Sequence, residues 1–331
     1  MTHEREYSVA GPWRSRPDSG PVPDDDVPDL GPVPTRIDVT DDVVRRLVGS
    51  QFPQWGDLPI RRVASEGWDN QSFHLGEERS VRLPSASPYA LAVEKEHTWL
   101  PVLAPQLPLA IPVPLAKGEP GEGYPFAWSV YRWLDGAPAT RDGIADLTAF
   151  GVALADFLAA LQRVDPTGGP GPGLHNWYRG GTLATYDETT REALETLEGH
   201  CRTDLAREIW QAARRSRWVA PPVWFHGDIA QGNLLVKDGE LTAVIDFGTC
   251  GVGDPACDLA IAWTLLTGES RTAFRSGLSV DGETWARGRG WALWKTLVTC
   301  AGALEDGGPE LTEATYVLDE IFEEYLARPA D

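Results

Sequence analysis

Apolar positions along the chain change their rhythm near residue 135. Before it they fall in short alternating runs, which predict strands over residues 60–65, 72–75, 80–83 and 126–133, because neighbouring side chains of a strand point to opposite faces. Residues 76–79 suit a hairpin turn between two of these strands. Two helices belong to the same half. One is short, capped by Thr40 or Asp41, with Val43, Val44, Leu47 and Val48 on one side; the other spans residues 91–103. A Pro-rich connection over 105–114 leads from the second helix to the last strand. After Asp135-Gly136 the apolar residues recur every three or four positions, and helices are predicted over 147–162, 186–197, 204–217, 258–266, 284–304 and 311–326. One β signal interrupts them: residues 233–236, then Lys237-Asp238-Gly239-Glu240, then 241–247. Asp-Gly between two apolar runs marks a hairpin. The fold class is therefore α+β, with a small β-rich half over 37–134 and a larger helical half over 135–331. Residues 1–36, with six Pro and five Asp between positions 17 and 34, read as a disordered tail that cannot bury enough surface to offset its ordering entropy.

Composition narrows the partners. The 331 residues include 29 Lys and Arg against 49 Asp and Glu, a net charge of −20. That excludes sequence-independent binding of nucleic acid or an anionic membrane, both of which need a basic face. No apolar run approaches the ~20 residues of a membrane helix, and the polar stretch 1–16 does not read as a signal peptide. Four Cys without a CxxC pair fit neither a disulfide framework nor a zinc site, so a reducing cytoplasm is the expected location. Oligomeric state is not legible in the sequence.

The segment that carries chemistry is His226-Gly227-Asp228-Ile229-Ala230-Gln231-Gly232-Asn233, followed by the hairpin and Ile245-Asp246-Phe247-Gly248. A two-residue turn at Asp238-Gly239 would pair Val236 with Leu241 and set Asn233 opposite Val244. Asn233 and Asp246 then project at the open end of the hairpin, where Asp228 arrives on the preceding loop. Oxygen ligands without His or Cys suit Mg²⁺, which takes one or two protein ligands and completes its shell with water and phosphates. Asn233 and Asp246 fit that role. Phosphoryl transfer also needs a carboxylate beside the acceptor hydroxyl, and Asp228, five residues before Asn233, is placed for it. The His-x-Asp-x-x-x-x-Asn spacing followed by Asp-Phe-Gly is that of the kinase signature set.

These motifs resemble the catalytic core of the aminoglycoside phosphotransferase family, small-molecule kinases related to choline kinases. Gly253-Asp254-Pro255-Ala256-Cys257-Asp258-Leu259-Ala260, Glu66-Gly67-Trp68-Asp69-Asn70 and Val93-Glu94-Lys95-Glu96 extend the likeness over about residues 37–327. The resemblance implies a bilobal protein-kinase-like fold with ATP or GTP as donor. It implies Asp228 as base, Asn233 and Asp246 as Mg²⁺ ligands, and His226 as a brace of the loop. Asp254 and Asp258 take supporting positions. Gly67 and Trp68 lie in the nucleotide flap, and Tyr131, Arg132, Trp133 and Leu134 in the hinge whose backbone meets the purine.

The chain departs from the kinase pattern in three ways. Arg82 occupies the place of the strand Lys that pairs the phosphates; a guanidinium can hold them bidentately. Glu96, with Glu94 as alternative, is expected to orient it. The flap has one Gly where protein kinases have three. Seven residues separate Asp246 from Asp254, too few for a long regulated activation segment. The acceptor is expected to be a small molecule. Residues 301–331 carry a net charge of −8, Glu320, Glu323 and Glu324 among them, and Asp187, Glu188, Glu192, Glu195 and Glu198 add a second acidic helix. Such a wall would attract a cation such as an aminoglycoside, although solvated helix faces read equally well. Trp177, Trp285, Trp291 and Trp294 read as core rather than as an aromatic wall, and 175–179 as a loop anchor. A nucleotide-binding pseudokinase is the alternative, suggested by Arg82.

Overall fold

The computed structural model describes residue 28, residues 30–63 and residues 67–327. The expected tail lies largely outside them, as do Glu66 and residues 64–65 of the first predicted strand.

Helix α1 (Asp41–Gln51) starts at Thr40, whose hydroxyl accepts the Val43 N–H at 3.4 Å, and turns Val44, Leu47 and Val48 inward. A five-stranded antiparallel sheet follows, β1 (Ile60–Arg62), β2 (Asn70–Leu75), β3 (Arg79–Pro84), β4 (Pro114–Gly118) and β5 (Trp128–Arg132), in the order β1-β2-β3-β5-β4. Phe73, Leu75, Val81, Leu83, Trp128 and Val130 line its inner face with α1. Strand β4 falls at the end of the predicted Pro-rich connection. It is an edge strand, where Pro114 gives up no central ladder bond. Helix α2 (Ser87–Leu103) starts four residues earlier than expected and packs its last turns, Leu100 and Leu103, into the core of the helical half.

That half contains α3 (Leu147–Arg163), capped by Asp146, whose carboxylate accepts the Thr148 and Ala149 N–H groups. Next come α4 (Asp187–Thr196), α5 (Thr203–Arg215), α6 (Ile261–Thr264), α7 (Gly268–Leu278), α8 (Gly282–Ala303) and α9 (Gly308–Leu326). The helix expected over 258–266 is instead a 3₁₀ stretch, Pro255–Ala260, running into short α6. Helix α8 runs through the middle, buried on nearly every side, and carries two arginines inside. Each has its carboxylate: Arg287 donates to Asp254 at 2.7 Å and Arg289 to Glu324 at 2.6 Å. Buried charges persist only when paired in this way.

Two small sheets hold the loops that carry Asp228, Asn233 and Asp246. Strand β6 (Ala137–Pro138) pairs with β8 (Leu234–Lys237), which pairs with β9 (Glu240–Val244); β7 (Val223–Phe225) pairs with β10 (Gly251–Gly253). Asp238 and Gly239 both have positive φ, 55° and 83°, as a tight primed turn requires. The register corrects the sequence expectation by one residue. Val236 faces Leu241, but Leu234, not Asn233, faces Val244, because the ladder shifts between Leu235 and Val236. The extra residue is Thr242, whose hydroxyl donates to the Leu235 carbonyl at 3.2 Å. Asn233 is thereby set against Ile245, whose N–H it accepts at 2.8 Å, directly beside Asp246.

Candidate active site

Asp228, Asn233 and Asp246 meet where the two halves face each other. The Asn233 amide donates to both the Asp228 carbonyl at 2.9 Å and its Oδ2 at 3.1 Å. Its own Oδ1 is the atom left to accept or to ligate. Asp246 adopts left-handed backbone, φ 67° and ψ 65°, which turns the chain out of β9. Its Oδ1 receives Arg82 Nη2 from β3 at 2.9 Å. An amide oxygen and a carboxylate form a hard, oxygen-only donor set that fits Mg²⁺. Among the described residues no group of three or more His, Cys, Asp or Glu could hold a metal, so a cation here would take its remaining ligands from phosphate and water.

The loop that presents Asp228 is fixed from below. Asp258 Oδ2 and Oδ1 accept the His226 and Gly227 N–H groups at 2.8 and 2.7 Å. Burial raises the Asp258 carboxyl to about 7 against these bonds. His226 donates from Nε2 to the Ile245 carbonyl at 3.0 Å and accepts the Asp228 N–H at Nδ1 at 3.2 Å. It therefore ties the Asp228 loop to Ile245, between the end of β9 and Asp246. Gly227 has φ +90°, and a Cβ there would meet the Thr249 carbonyl oxygen at 2.6 Å. A larger residue before Asp228 does not fit this loop. Asp254 caps the 3₁₀ stretch through the Ala256 N–H at 3.1 Å and pairs with Arg287.

On the nucleotide side, Glu96 is buried and its carboxylate accepts the Tyr131 hydroxyl. Glu94 points outward to Lys117 at 2.6 Å, and Glu96 is the one of the two that lies inside. It is not bonded to Arg82 among the described residues. It acts through charge: burial would lower the Arg82 pKa, but Asp246 and then Glu96 raise it above its ordinary value. In the segment expected to be the hinge, the Arg132 and Trp133 N–H groups donate to the Val113 and Glu78 carbonyls at 3.0 and 2.8 Å, and Tyr131 is buried in β5. Leu134 and Asp135 have no backbone partner for their N–H groups among the described residues. In the flap, Trp68 Nε1 donates to the Tyr89 hydroxyl at 2.9 Å and Gly67 O accepts from Arg36 at 3.4 Å. Asp69, next to Trp68, is raised to about 7 by burial and by the charges of Asp246 and Asp228.

Sequence reasoning missed three participants. Lys295 of α8 donates to Asp228 Oδ1 at 2.8 Å. Burial would raise the Asp228 pKa, but Lys295, Arg179 and His226 bring it down to about 2. Arg179 reaches the Gly227 carbonyl at 3.2 Å with its guanidinium 4.8 Å above the Trp294 ring and 5.1 Å above Trp291. Lys95 of α2 is buried and donates to the Gly248 and Cys250 carbonyls at 2.6 and 2.9 Å and to His175 Nδ1 at 3.1 Å. The available signals were a polar residue inside an apolar helix and a Lys between two Glu; neither names its partner. Trp285 and Trp291 are core, as expected, while Trp294 is half-buried and donates to Thr189 at 3.0 Å. The acidic helices are partly neutralised: Glu320 pairs with Arg271, Glu324 with Arg289, Asp187 with Arg214 and Glu198 with Arg207.

A sheet-bearing lobe over a helical lobe, with this constellation between them, is the bilobal α+β architecture of the kinase-like phosphotransferases. Similar solved structures include the GDP and kanamycin complex of APH(2")-IIia, 18% identical over 85% of this chain and 98% of that one, with a TM-score of 0.63. A type I macrolide 2'-phosphotransferase is 18% identical over 88% and 99%, TM-score 0.55. The macrolide 2'-phosphotransferase MphH from Brachybacterium faecium is 21% identical over 88% and 99%, TM-score 0.53. No curated protein matches the chain. Residues 60–291 match the family described as phosphotransferase enzyme family, and the chain belongs to it. It is a phosphotransferase.

Proposed function

We propose that the chain moves the γ-phosphoryl group of ATP or GTP to a hydroxyl of a small-molecule acceptor, with Mg²⁺ held by Asn233 and Asp246. The observation that carries this reading is two bonded pairs set side by side: Asn233 grips the Asp228 carboxylate, Arg82 grips Asp246, and the Ile245 N–H bond to the Asn233 carbonyl holds the two pairs together. Asp228 orients the acceptor hydroxyl and takes its proton as the oxygen attacks the γ-phosphorus. The bond from that phosphorus to the bridging oxygen breaks and the nucleoside diphosphate leaves. Mg²⁺, when bound, supplies neutralisation of the phosphate charge. Arg82 contributes a permanent charge beside the phosphates, with Glu96 and Tyr131 behind it. The Leu134 and Asp135 N–H groups face the purine edge, and Gly67 and Trp68 cover the nucleotide. His226, Asp254 and Asp258 fix the loops without touching substrate. Four free cysteines accord with a reducing cytoplasm, and among the described residues no helix is long and apolar enough to cross a membrane.

Acidic residues remain exposed on α4 and α9, Glu188, Glu192 and Glu323 among them, so an aminoglycoside-like cation is one of the acceptors to test. The deciding experiment measures Mg²⁺-dependent release of ADP and GDP with hydroxylated acceptors, for the wild type and for Asp228→Asn. Turnover lost in the variant, with a nucleotide-induced rise in melting temperature retained, supports the base role. Equal turnover removes it. Nucleotide binding without turnover by the wild type, across all acceptors, assigns the pseudokinase alternative.

A further inference from the structure

The wall beside Asp228 carries two cations that the donor side does not need. Lys295 sits on the second half of α8, where Trp291, Ala292, Leu293, Thr296 and Leu297 are all buried and Lys295 and Val298 are exposed. Its ammonium is not spread over the surface but directed onto Asp228 Oδ1. Arg179 comes from the loop before α4, donates to the Tyr186 hydroxyl at 2.6 Å, and makes no ion pair among the described residues. Its Nε holds the carbonyl of Gly227, the residue before Asp228, at 3.2 Å.

Both oxygens of Asp228 are engaged, Oδ1 by Lys295 and Oδ2 by Asn233. An acceptor hydroxyl must therefore share Oδ1 with the ammonium or draw the ammonium aside. A polycation can share Oδ1, but it brings a second positive group beside Lys295 and Arg179, and like charges held close together repel. An acceptor with its own negative group gives Lys295 a replacement partner as the hydroxyl arrives. The acidic residues that would argue for a cation are in part bound elsewhere, Glu320 and Glu324 by buried or half-buried arginines.

We infer that the acceptor is a hydroxylated anion, its carboxylate or phosphate held by Lys295 with Arg179 adding charge, and its hydroxyl set against Asp228. The inference rests on the phosphotransfer reading and names the substrate class of that same site. Lys295 is then the residue that sets specificity.

The test is a matched series with one variable charge: glucose, glucosamine, glucuronate, glucose 6-phosphate and kanamycin, with product phosphorylation followed directly. In parallel, binding of each is measured with Mg²⁺ and a non-hydrolysable nucleotide in place, so that the donor site is filled. We expect the anionic members to bind and react at least about tenfold better than glucose. In Lys295→Glu the order should invert, with glucosamine overtaking glucuronate, and Lys295→Met should raise the acceptor KM more than the nucleotide KM. A series in which the anionic members are not preferred overturns the inference, as does a Lys295→Met effect confined to the nucleotide KM, which would seat the ammonium on the donor phosphates. The wild type's nucleotide turnover and its loss in Asp228→Asn are read separately, so failure of phosphotransfer itself is distinguishable from failure of the acceptor assignment.

Discussion

Two ion pairs of nearly equal length bound the cleft, and they differ in almost everything else. Arg82 meets Asp246 at 2.9 Å with side-chain exposures of 16% and 32%, and Lys295 meets Asp228 at 2.8 Å with 47% and 35%. The first lies on a rigid sheet with Glu96 and Tyr131 behind it; the second joins a helix to a loop at an open edge. Distance alone would rank them together. Surroundings separate them: the sheet pair is held in place from behind, whereas the helix pair can exchange one partner for another at little cost. In the proposed reaction the donor side would hold its ligand, and the acceptor side would yield to its own.

Mutations at the two ends should show the contrast, and the largest effect is kinetic. Asp228→Asn should lower the turnover rate by about 10²–10⁴-fold, the usual contribution of a general base, with nucleotide affinity nearly intact. Asp246→Ala should lower both turnover and Mg²⁺-dependent nucleotide binding. Calorimetry with and without Mg²⁺ checks the pair, and equal nucleotide affinity in the two variants would break the division of labour. Behind both pairs, Asp254→Ala strands buried Arg287, with exposures of 7% and 6% in the intact pair. Breaking a buried pair by removing one partner costs about 3–5 kcal/mol, measurable by denaturant unfolding.

A pH effect of intermediate size comes from His175. It donates from Nε2 to the Gly171 carbonyl at 2.9 Å and accepts from the Lys95 ammonium at Nδ1, so a second proton would point at that ammonium. Burial, then Lys95, hold its pKa down at about 4 against an ordinary 6.5. The unfolded chain takes up the proton first as pH falls. The stability contributed is complete above the ordinary value and is lost on descending toward about 4, at most about 3 kcal/mol. Unfolding free energies between pH 7 and 4, compared with His175→Gln, check it; parallel curves would refute it. The smallest effect closes the comparison: Lys295→Met should change stability by about 0–1 kcal/mol, as exposed pairs do, while Arg82→Met, which leaves Asp246 and Glu96 facing each other, should cost more.

The same contrast decides what could be read from the sequence. Asp228, Asn233 and Asp246 lie within nineteen positions around one hairpin, so local spacing was enough to bring them together. Arg82 and Glu96 were legible because strand and helix are adjacent in the chain. Lys295 lies 67 residues beyond Asp228, and only the course of α8 through the middle of the helical half delivers it. The Thr242 bulge was not visible either, since a one-residue shift leaves the apolar pattern of β9 unchanged in composition. Helix α7 was missed because it packs on α3 largely through small and polar residues, Gly277 against Ala155 and Ser270 against Gly151, so that its buried apolar side chains are Phe274 and Leu278 and the apolar period is weak. The acidic helices were seen correctly as acidic, but their arginine partners lie on other elements.

The buried Lys95 sets a limit on how this chain can be governed. Many enzymes of two lobes can be idled by rotating one helix away from the donor site. Here that helix is nailed by an ammonium to the carbonyls following Asp246, and swinging it out would strip the Gly248 and Cys250 carbonyls of their donor, at about 1–3 kcal/mol for each buried acceptor left unpaired. Silencing such a resting state to one part in a hundred would demand a further effector of comparable strength.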